Sequence, residues 1–320
     1  VSVAVLGSEI VVRLRINVGG PLAPSVWLRR PRDAVRVALE RPPQDFLRLL
    51  PLLFPLCGTA HAVAGLRALE AAACIVAAQP HEQARRLLCL ADALAAHAWR
   101  SEFDWTALVG ATGRPLRVAA ARRATAALAR ELYPDGDCMA PGGGRLAPTA
   151  GFASAWSATF RDIAAGLELD QHLAALRRAM AAALAGADPA WMVRLQSRFR
   201  VVAAQAVADA EALVNGLAAL AGAAAGAGRV DAPLRDGEGE GCVDTARGEL
   251  RYRVALRGGL VVDCSLDAPI DRVFGDGGEA SRWLANLDCA ARPEAAVRWV
   301  VAALDPCAPL RIEAMETIDA

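Results

Sequence analysis

Cys57 and His61 stand four positions apart in Leu53-Phe54-Pro55-Leu56-Cys57-Gly58-Thr59-Ala60-His61, at the entrance to an apolar helical stretch. A thiol at a helix N-terminus has its thiolate favoured by the helix dipole, and the thiolate is the form that binds metal. The same spacing also describes a packed cysteine followed by a core or capping histidine, since free cysteine is commonly buried. A second segment, Val300 to Leu310, holds Asp305-Pro306-Cys307; alone it reads as a helix stop with a single cysteine. Histidine occurs only at 61, 81, 97 and 172, and the carboxylates are scattered without a pairing pattern. No H-E-x-x-H, G-x-S-x-G or deaminase pattern occurs, so an ordinary hydrolase or zinc enzyme is not supported. The cysteines at 57, 74, 89, 138, 242, 264, 289 and 307 form no C-x-x-C.

The elements that must position these residues are mostly helical. Residues 9–18 alternate, with Ile10, Val12, Leu14, Ile16 and Val18 on one face, as a half-buried strand does, and Ser25 to Leu28 reads as a short second strand. Short helices are expected over Arg32–Leu39 and Pro43–Leu53, then a longer one over Ala60–Ala78 that Pro80 stops. Further helices are expected over 82–100, 116–132, 152–163, 171–185 and 189–221, and a last one over 293–304. Between them Tyr133–Pro148 is a Gly/Pro loop without the lysine or spacing of a phosphate-binding motif. Residues 221–241 form an Ala/Gly tract and a polar Gly/Glu loop, read as a flexible segment. Glu249–Leu256, a turn at 257–259 and Leu260–Leu266 give a β-hairpin signal. His81 and His172 read as solvated helix starts, Cys74, Cys89 and Cys264 as core residues, and Cys289 as a core residue on a short helix. His97, Trp99 and Trp105 read as a packing cluster. The fold class is α+β, mainly α-helical, with small β elements near both ends, in one integrated domain over 1–320.

Composition narrows the function. The chain has 320 residues, 35 basic against 35 acidic, for a formal net charge of +0. A neutral chain is a poor nucleic-acid binder, because phosphate binding needs a basic surplus. Hydrophobic residues are 55% and charged residues 22%, which excludes a disordered chain. Every basic residue is arginine. Apolar runs are broken by charged residues or proline before a membrane span accumulates. The N-terminus lacks a signal peptide's basic region and cleavage site, so the expected location is cytoplasmic, where cysteines stay reduced.

Cys57-Gly58, then His61-Ala-Val-Ala-Gly-Leu-Arg67-Ala-Leu-Glu70, and finally Asp305-Pro306-Cys307 resemble, in order, the large subunit of nickel-iron hydrogenases. That family carries R-x-C-G-x-C-x-x-x-H before a helix with R-A-L-E, and D-P-C-x-x-C-x-x-H at its end; those cysteines hold the nickel-iron centre. Between them Asp244-Thr-Ala-Arg247-Gly-Glu-Leu250 resembles the family's E-A-P-R-G-x-L, whose arginine lies over the cyanide-bearing iron. A gapless fit through His61 and Arg67-Ala-Leu-Glu70 puts Cys57 at the second cysteine, with Phe54 at the first and Leu52 at the arginine. A fit on Cys-Gly would make it the first, at the cost of a deletion. Cys307 matches the first cysteine of the C-terminal pair, where Leu310 replaces the second and Glu313 the histidine. This thinned pattern is similar to the HupK-type hydrogenase expression/formation proteins, in Leu-Phe-Pro-Leu-Cys-Gly-x-Ala and in the helix pair ending His97-Ala-Trp-Arg-Ser-Glu-Phe-Asp-Trp105.

The resemblance implies a large-subunit-like helical body and a non-catalytic maturation scaffold that transiently holds an iron-dicyano-carbonyl fragment, without a complete nickel-iron centre. It implies metal ligation by Cys57 and Cys307, with Arg247 donating to cyanide nitrogen and His61 supporting the Cys57 thiolate. The implied partners are small hydrogenase-maturation chaperones and the large-subunit precursor, with no nucleic acid and no membrane. A metal-free docking partner of the large subunit and a degenerate hydrogenase-like enzyme are the rival readings.

Overall fold

The computed structural model describes residues 9–15, 23–29, 34–223, 234–285 and 292–315. Strand β1 (Glu9–Arg15) pairs antiparallel with β2 (Ala23–Arg29), Val12 opposite Val26. Ile10, Val12 and Leu14 are buried as the alternation predicts, and Val11 is buried as well, so both sides of this strand are covered. Ile16 and Val18 lie outside the described residues. A 3₁₀ turn, Ala34–Ala38, leads to α1 (Pro43–Leu53), whose Phe46, Leu47 and Leu50 face inward.

Helix α2 (Gly58–Ala72) is the central element, with Val63, Leu66 and Leu69 fully buried. It ends before the 78 expected from sequence. Cys74 takes a left-handed φ of 57°, and the Ile75 N–H closes onto the Glu70 carbonyl at 2.8 Å, a Schellman-type stop. Pro80 does not stop this helix; it opens the next, α3 (Gln79–Trp99), at a first-turn position where its missing N–H costs nothing. A π-helical stretch, Arg100–Trp105, continues α3 and runs into the short α4 (Thr106–Leu108). Helices α5 (Pro115–Leu132), α6 (Phe152–Ala165), α7 (Leu169–Ala183) and α8 (Pro189–Ala223) follow close to the sequence expectation. Pro189–Gly222 is long and apolar enough to cross a membrane by length and composition. Its Leu195, Leu213, Leu217 and Leu220 are buried in the body, where α8 packs against α3 and α6.

The second sheet has the order β3 (Gly237–Thr245), β4 (Gly248–Arg257), β5 (Leu260–Asp267), all antiparallel. The hairpin β4–β5 follows expectation; β3 corrects it, because 237–241 is strand, not loop. A Cβ at Gly237, Gly239 or Gly241 would lie within 2.2–2.3 Å of the α2 backbone at Ala72 or Ala68. The glycine face therefore lies directly on the alanine ridge of α2, a contact no side chain permits. The glutamate face turns outward, where Glu240 pairs with Arg253 at 2.6 Å and with Arg251, and Glu238 with Arg257 at 2.9 Å. Gly-Glu-Gly-Glu-Gly is thus an alternating strand whose buried side is backbone.

Helices α9 (Pro269–Phe274), α10 (Glu279–Ala285) and α11 (Pro293–Ala303) lead to β6 (Leu310–Met315). β6, absent from the sequence expectation, joins β1 in parallel, so the two ends of the chain meet in one sheet of order β2-β1-β6. That closure carries Cys307 back to the body. One apolar cluster packs α1, α2, α11 and both sheets; the other packs α3, α5, α6 and α8.

Candidate functional site

Cys57 is the residue that caps α2, half-buried, with its carbonyl accepting the His61 N–H at 3.1 Å. Gly58 follows because the helix start rides on α1: a Cβ there would lie 2.9 Å from Pro51 Cα. Asp92 of α3 accepts the Thr59 N–H at 3.1 Å, meeting an amide at the N-terminus of α2 that has no partner inside its helix. Burial pushes the Asp92 carboxyl up to about 6, against the lowering pull of the Thr59 and Ala60 amides, Arg122 and Arg247. His61 is buried. Its Nδ1 lies 2.7 Å from the Tyr252 hydroxyl, and its ring stacks on Phe54 at 3.8 Å and 7°. The residue standing where the resemblance expects a cysteine is thus an aromatic lid on the histidine.

Arg247 occupies the β3–β4 turn. Thr245 Oγ1 accepts the Arg247 N–H at 3.1 Å and donates to the Gly248 carbonyl at 2.8 Å, and Gly248 supplies φ 122°. The Arg247 side chain is only 10% exposed and points at the end of α11. There Asp305, in a left-handed conformation, turns the chain into Pro306-Cys307. Arg247 Nε donates to the Asp305 carbonyl at 3.1 Å and also lies 3.1 Å from Oδ2, while Nη2 reaches Oδ1 at 3.3 Å. Burial disfavours the Arg247 charge, but Asp305, Cys307, Cys57 and Asp104 together raise its pKa above the ordinary arginine value. Cys57 and Cys307, 250 positions apart in sequence, are thus both among the groups that favour its charge.

The sequence reading missed the groups behind this arginine. Arg100 is 2% exposed and grips the Asp305 carboxylate with two donors, Nε to Oδ1 at 2.5 Å and Nη2 to Oδ2. Arg100 Nη1 lies 2.5 Å from His97 Nδ1, and His97 Nε2 lies 2.8 Å from Asp209 Oδ2 of α8. Arginine has no acceptor, so Nδ1 must be the bare nitrogen, and His97 is neutral with its proton on Nε2 toward Asp209. Burial lowers the His97 pKa in agreement, although Asp209 opposes it. Burial favours protonation of Asp305, but Arg100 and Arg247 hold its carboxyl below the usual range. Asp104 goes the other way: burial, then Asp305, push it up to about 7 against Arg247 and Arg100. Asp92, Arg100 and Asp104 recur at helical spacing, a faint signal on a stretch that also carries His97, Ser101 and Glu102. The π-helical turn adds the offset that aims 100–104 inward, and such turns recur at functional sites.

Outside this cluster the isolated histidines and cysteines divide. His81 is fully buried, not solvated, with Nδ1 3.2 Å from the Tyr133 hydroxyl. His172 is half-buried against Trp105. Cys89 is buried and its thiol is pushed up to about 12, whereas Cys74 is exposed. Cys289 lies outside the described residues. No group of three or more His, Cys, Asp or Glu suited to a metal ion occurs among the described residues. A cleft of about 860 Å³ between α3, α8 and the β3–β4 turn has Arg247, Asp305 and Asp209 in its walls.

No family model matches the chain. Among curated proteins it is 31% identical over 333 positions to the hydrogenase expression/formation protein HupK of Azotobacter vinelandii, covering 94% of this chain and 97% of that protein. It is 28% identical over 343 positions to HupV, also a hydrogenase expression/formation protein, of Azotobacter chroococcum, covering 96% and 99%. Among solved structures it superposes on the Ni-Fe-Se hydrogenase of Desulfovibrio vulgaris Hildenborough in the as-isolated oxidized state with TM-score 0.61 and 13% identity, covering 90% of this chain and 94% of that one. The reduced, active Ni-Fe-Se hydrogenase of Desulfomicrobium baculatum gives 0.58 and 12%, covering 92% and 95%. The fold is therefore that of the nickel-iron hydrogenase large subunit, an α+β body dominated by helices.

Proposed function

Since the chain belongs to the HupK-type hydrogenase expression/formation proteins, we propose that within hydrogenase maturation it is a non-catalytic scaffold that holds, and then hands on, the iron-dicyano-carbonyl fragment. The observation that carries this reading is Arg247, a nearly buried cation under the combined influence of Cys57 and Cys307. Low-spin iron with strong-field diatomic ligands accepts soft thiolates, and the two cysteines supply them. The guanidinium donors of Arg247 suit cyanide nitrogen, and being always charged they lend their field to thiolates. His61, fixed by Tyr252 and Phe54, buttresses the helix turn that carries Cys57.

The same residues fit a carrier better than an enzyme. Phe54 and Leu310 stand at the positions of the other two cysteines of the large-subunit pattern. A fragment held by half the usual thiolates is one that can be released. The cargo's natural exchange partners are the large-subunit precursor and the small maturation chaperones, in the cytoplasm, where the hydrogenase is assembled.

The test is infrared spectroscopy in the cyanide and carbonyl stretching region, with iron quantified, on protein purified anaerobically from hydrogenase-producing cells. Bands for both diatomics are expected, and they are expected to vanish in Cys57→Ala and Cys307→Ala. A featureless spectrum without iron, from cells whose hydrogenase matures normally, would replace this reading with that of a metal-free docking partner.

A further inference from the structure

Helix α2 opens on a residue that does not cap it. Cys57 holds the N-cap position, but its side chain makes no capping hydrogen bond, and a thiol is only a weak acceptor. Serine, threonine, aspartate or asparagine at that position would take the amide of the second or third helical residue. Thr59 is the second helical residue, and its amide goes instead to Asp92 of α3, at 3.1 Å. The cap of α2 is therefore supplied by a side chain 33 positions along the chain.

The other flank of Cys57 is held in the same way. Helix α1 ends at Leu53, and only residues 54–57 separate it from α2. In that link the Pro55 carbonyl accepts Arg122 Nη1 of α5 at 2.9 Å, and the Arg122 guanidinium lies over the Trp99 ring at 5.9 Å. Thr125 Oγ1 donates to the Ala91 carbonyl at 3.0 Å, which locks α5 to α3 beside Asp92. An anion thus sits at the N-terminus of one helix and a cation just past the C-terminus of the helix before it, the placement that both helix dipoles favour. Between those two grips the Cys57 N–H closes onto the Phe54 carbonyl at 3.2 Å, and Gly58 rests on Pro51 with no room for a side chain.

We infer that Asp92 and Arg122 are the positioning residues of Cys57: they hold the backbone on either side of it, with Asp92 acting as the N-cap acceptor so that the N-cap residue itself can carry a thiol. A helix start built for stability alone would carry its acceptor at 57. Here the acceptor comes from α3, and the sulfur keeps its direction because the turn beneath it is fixed from both sides. The biological meaning of this clamp rests on the scaffold reading, in which Cys57 is an iron ligand; its test does not.

The test needs no iron. In a protein where Cys57 is the only reactive cysteine left, the thiol is converted to its S-cyano form, and the width of the nitrile stretch reports the spread of orientations at the sulfur. Asp92→Leu, which removes the acceptor, is expected to broaden and move the band. Asp92→Asn, whose side-chain oxygen still accepts the Thr59 N–H, is expected to restore the wild-type width. Arg122→Met, which releases only the Pro55 carbonyl, is expected to broaden the band less than Asp92→Leu, and it carries the test if Asp92→Leu does not fold. Tyr133→Phe, which gives up the contact to His81 at the start of α3, is the control for a loss of stability alone and is expected to keep the narrow band. A wild-type width in Asp92→Leu, or in Arg122→Met where only that variant folds, overturns the inference. Equal broadening in Asp92→Asn or in Tyr133→Phe overturns it as well. Iron bands in the native protein with no effect of Asp92 or Arg122 on the nitrile would remove this inference alone. A clamp effect in a protein that never carries iron would remove the scaffold reading alone.

Discussion

Two buried ion networks lie at the two ends of α3, and they are built on different principles. In the first, Arg85 is fully buried and forks onto Glu70, Nη1 to Oε2 at 2.9 Å and Nη2 to Oε1 at 2.8 Å, while reaching Glu82 at 2.6 Å. Glu82 in turn takes Arg67 at 2.6 Å, and Glu70 accepts the Gly142 N–H at 2.7 Å. Two cations alternate with two anions. The burial penalty that raises the Glu82 carboxyl is outweighed by Arg67 and Arg85, and its pKa falls. This network ties the 133–148 loop and, through Arg67 to the Cys242 carbonyl at 2.7 Å, strand β3 to the central helix. In the second, Arg100 and Arg247 face Asp305, and the nearby Asp104 is pushed up to about 7. The first network is closed on itself. The second reaches Asp209 through His97 and holds in Asp104 a carboxyl whose pKa sits near neutrality, so its charge balance changes around neutral pH.

The comparison breaks most visibly at Glu70. Removing one partner of a buried pair strands the other, at a cost of about 3–5 kcal/mol. Glu70→Ala is therefore expected to lower the midpoint of denaturant unfolding sharply, while whatever fraction remains folded keeps the infrared signature of its cargo. Arg247→Met, which leaves the Arg100–Asp305 pair in place, is expected to do the reverse in kind, moving the spectroscopic signature more than the midpoint. Equal losses of stability and signature in both variants would show that the two networks do the same job.

Asp104 sharpens the comparison through pH. Its folded-state pKa, about 7, lies above the ~3.9 of a free aspartate, so the folded chain binds this proton more tightly than the unfolded one. Its contribution to stability is greatest below about pH 4 and is lost as the pH rises to about 7. Asp104→Asn removes the penalty. The variant is expected to be more stable than the parent at pH 8 by on the order of 1–2 kcal/mol, discounted for partial exposure, with the advantage gone near pH 4. Glu82 supplies the opposite slope: its carboxyl is lowered, so its stabilisation is present at neutral pH and lost on acidification. Urea midpoints from pH 4 to 8 for the parent and Asp104→Asn separate the two, and parallel curves would refute the Asp104 assignment.

How much of this was legible in the sequence differs between the networks in the same way. Cys57, Arg247 and Cys307 were singled out because each sits in a short motif, and the order of those motifs follows the resemblance. The helices were legible because their apolar periodicity is strong. Arg100 and Asp104 were not found, because a charged residue inside an amphipathic helix reads as surface until the π-helical turn is known to rotate it inward. Strand β3 was missed because its buried face consists of glycines, so the alternation carries no hydrophobic signal. β6 was missed because its partner β1 lies at the other end of the chain, and no local pattern announces a parallel pairing across 300 residues. His81 read as a solvated helix start; it does lie in the first turn of α3, but that turn sets its ring against Gly143, where the missing Cβ leaves the room that the ring occupies.

His61 stands between the two principles, and its role follows from how it is held. Its Nδ1 meets the Tyr252 hydroxyl at 2.7 Å, its ring is stacked on Phe54, and both partners are buried. Those contacts fix the ring as firmly as a core residue, yet it sits one turn into the helix that Cys57 opens. Tyr252→Phe removes the hydroxyl without removing the ring, so packing survives and one buried nitrogen loses its partner, a loss of about 1 kcal/mol. If His61 only fills the core, the nitrile stretch of Cys57 converted to its S-cyano form, in a protein where Cys57 is the only reactive cysteine left, stays where it is. Because a ring freed at Nδ1 can re-orient beneath the Cys57 turn, the expected result is a small band shift, below that of Arg247→Met, accompanying the loss in stability. A stability loss with no shift at all would assign His61 to the closed, structural side of the molecule.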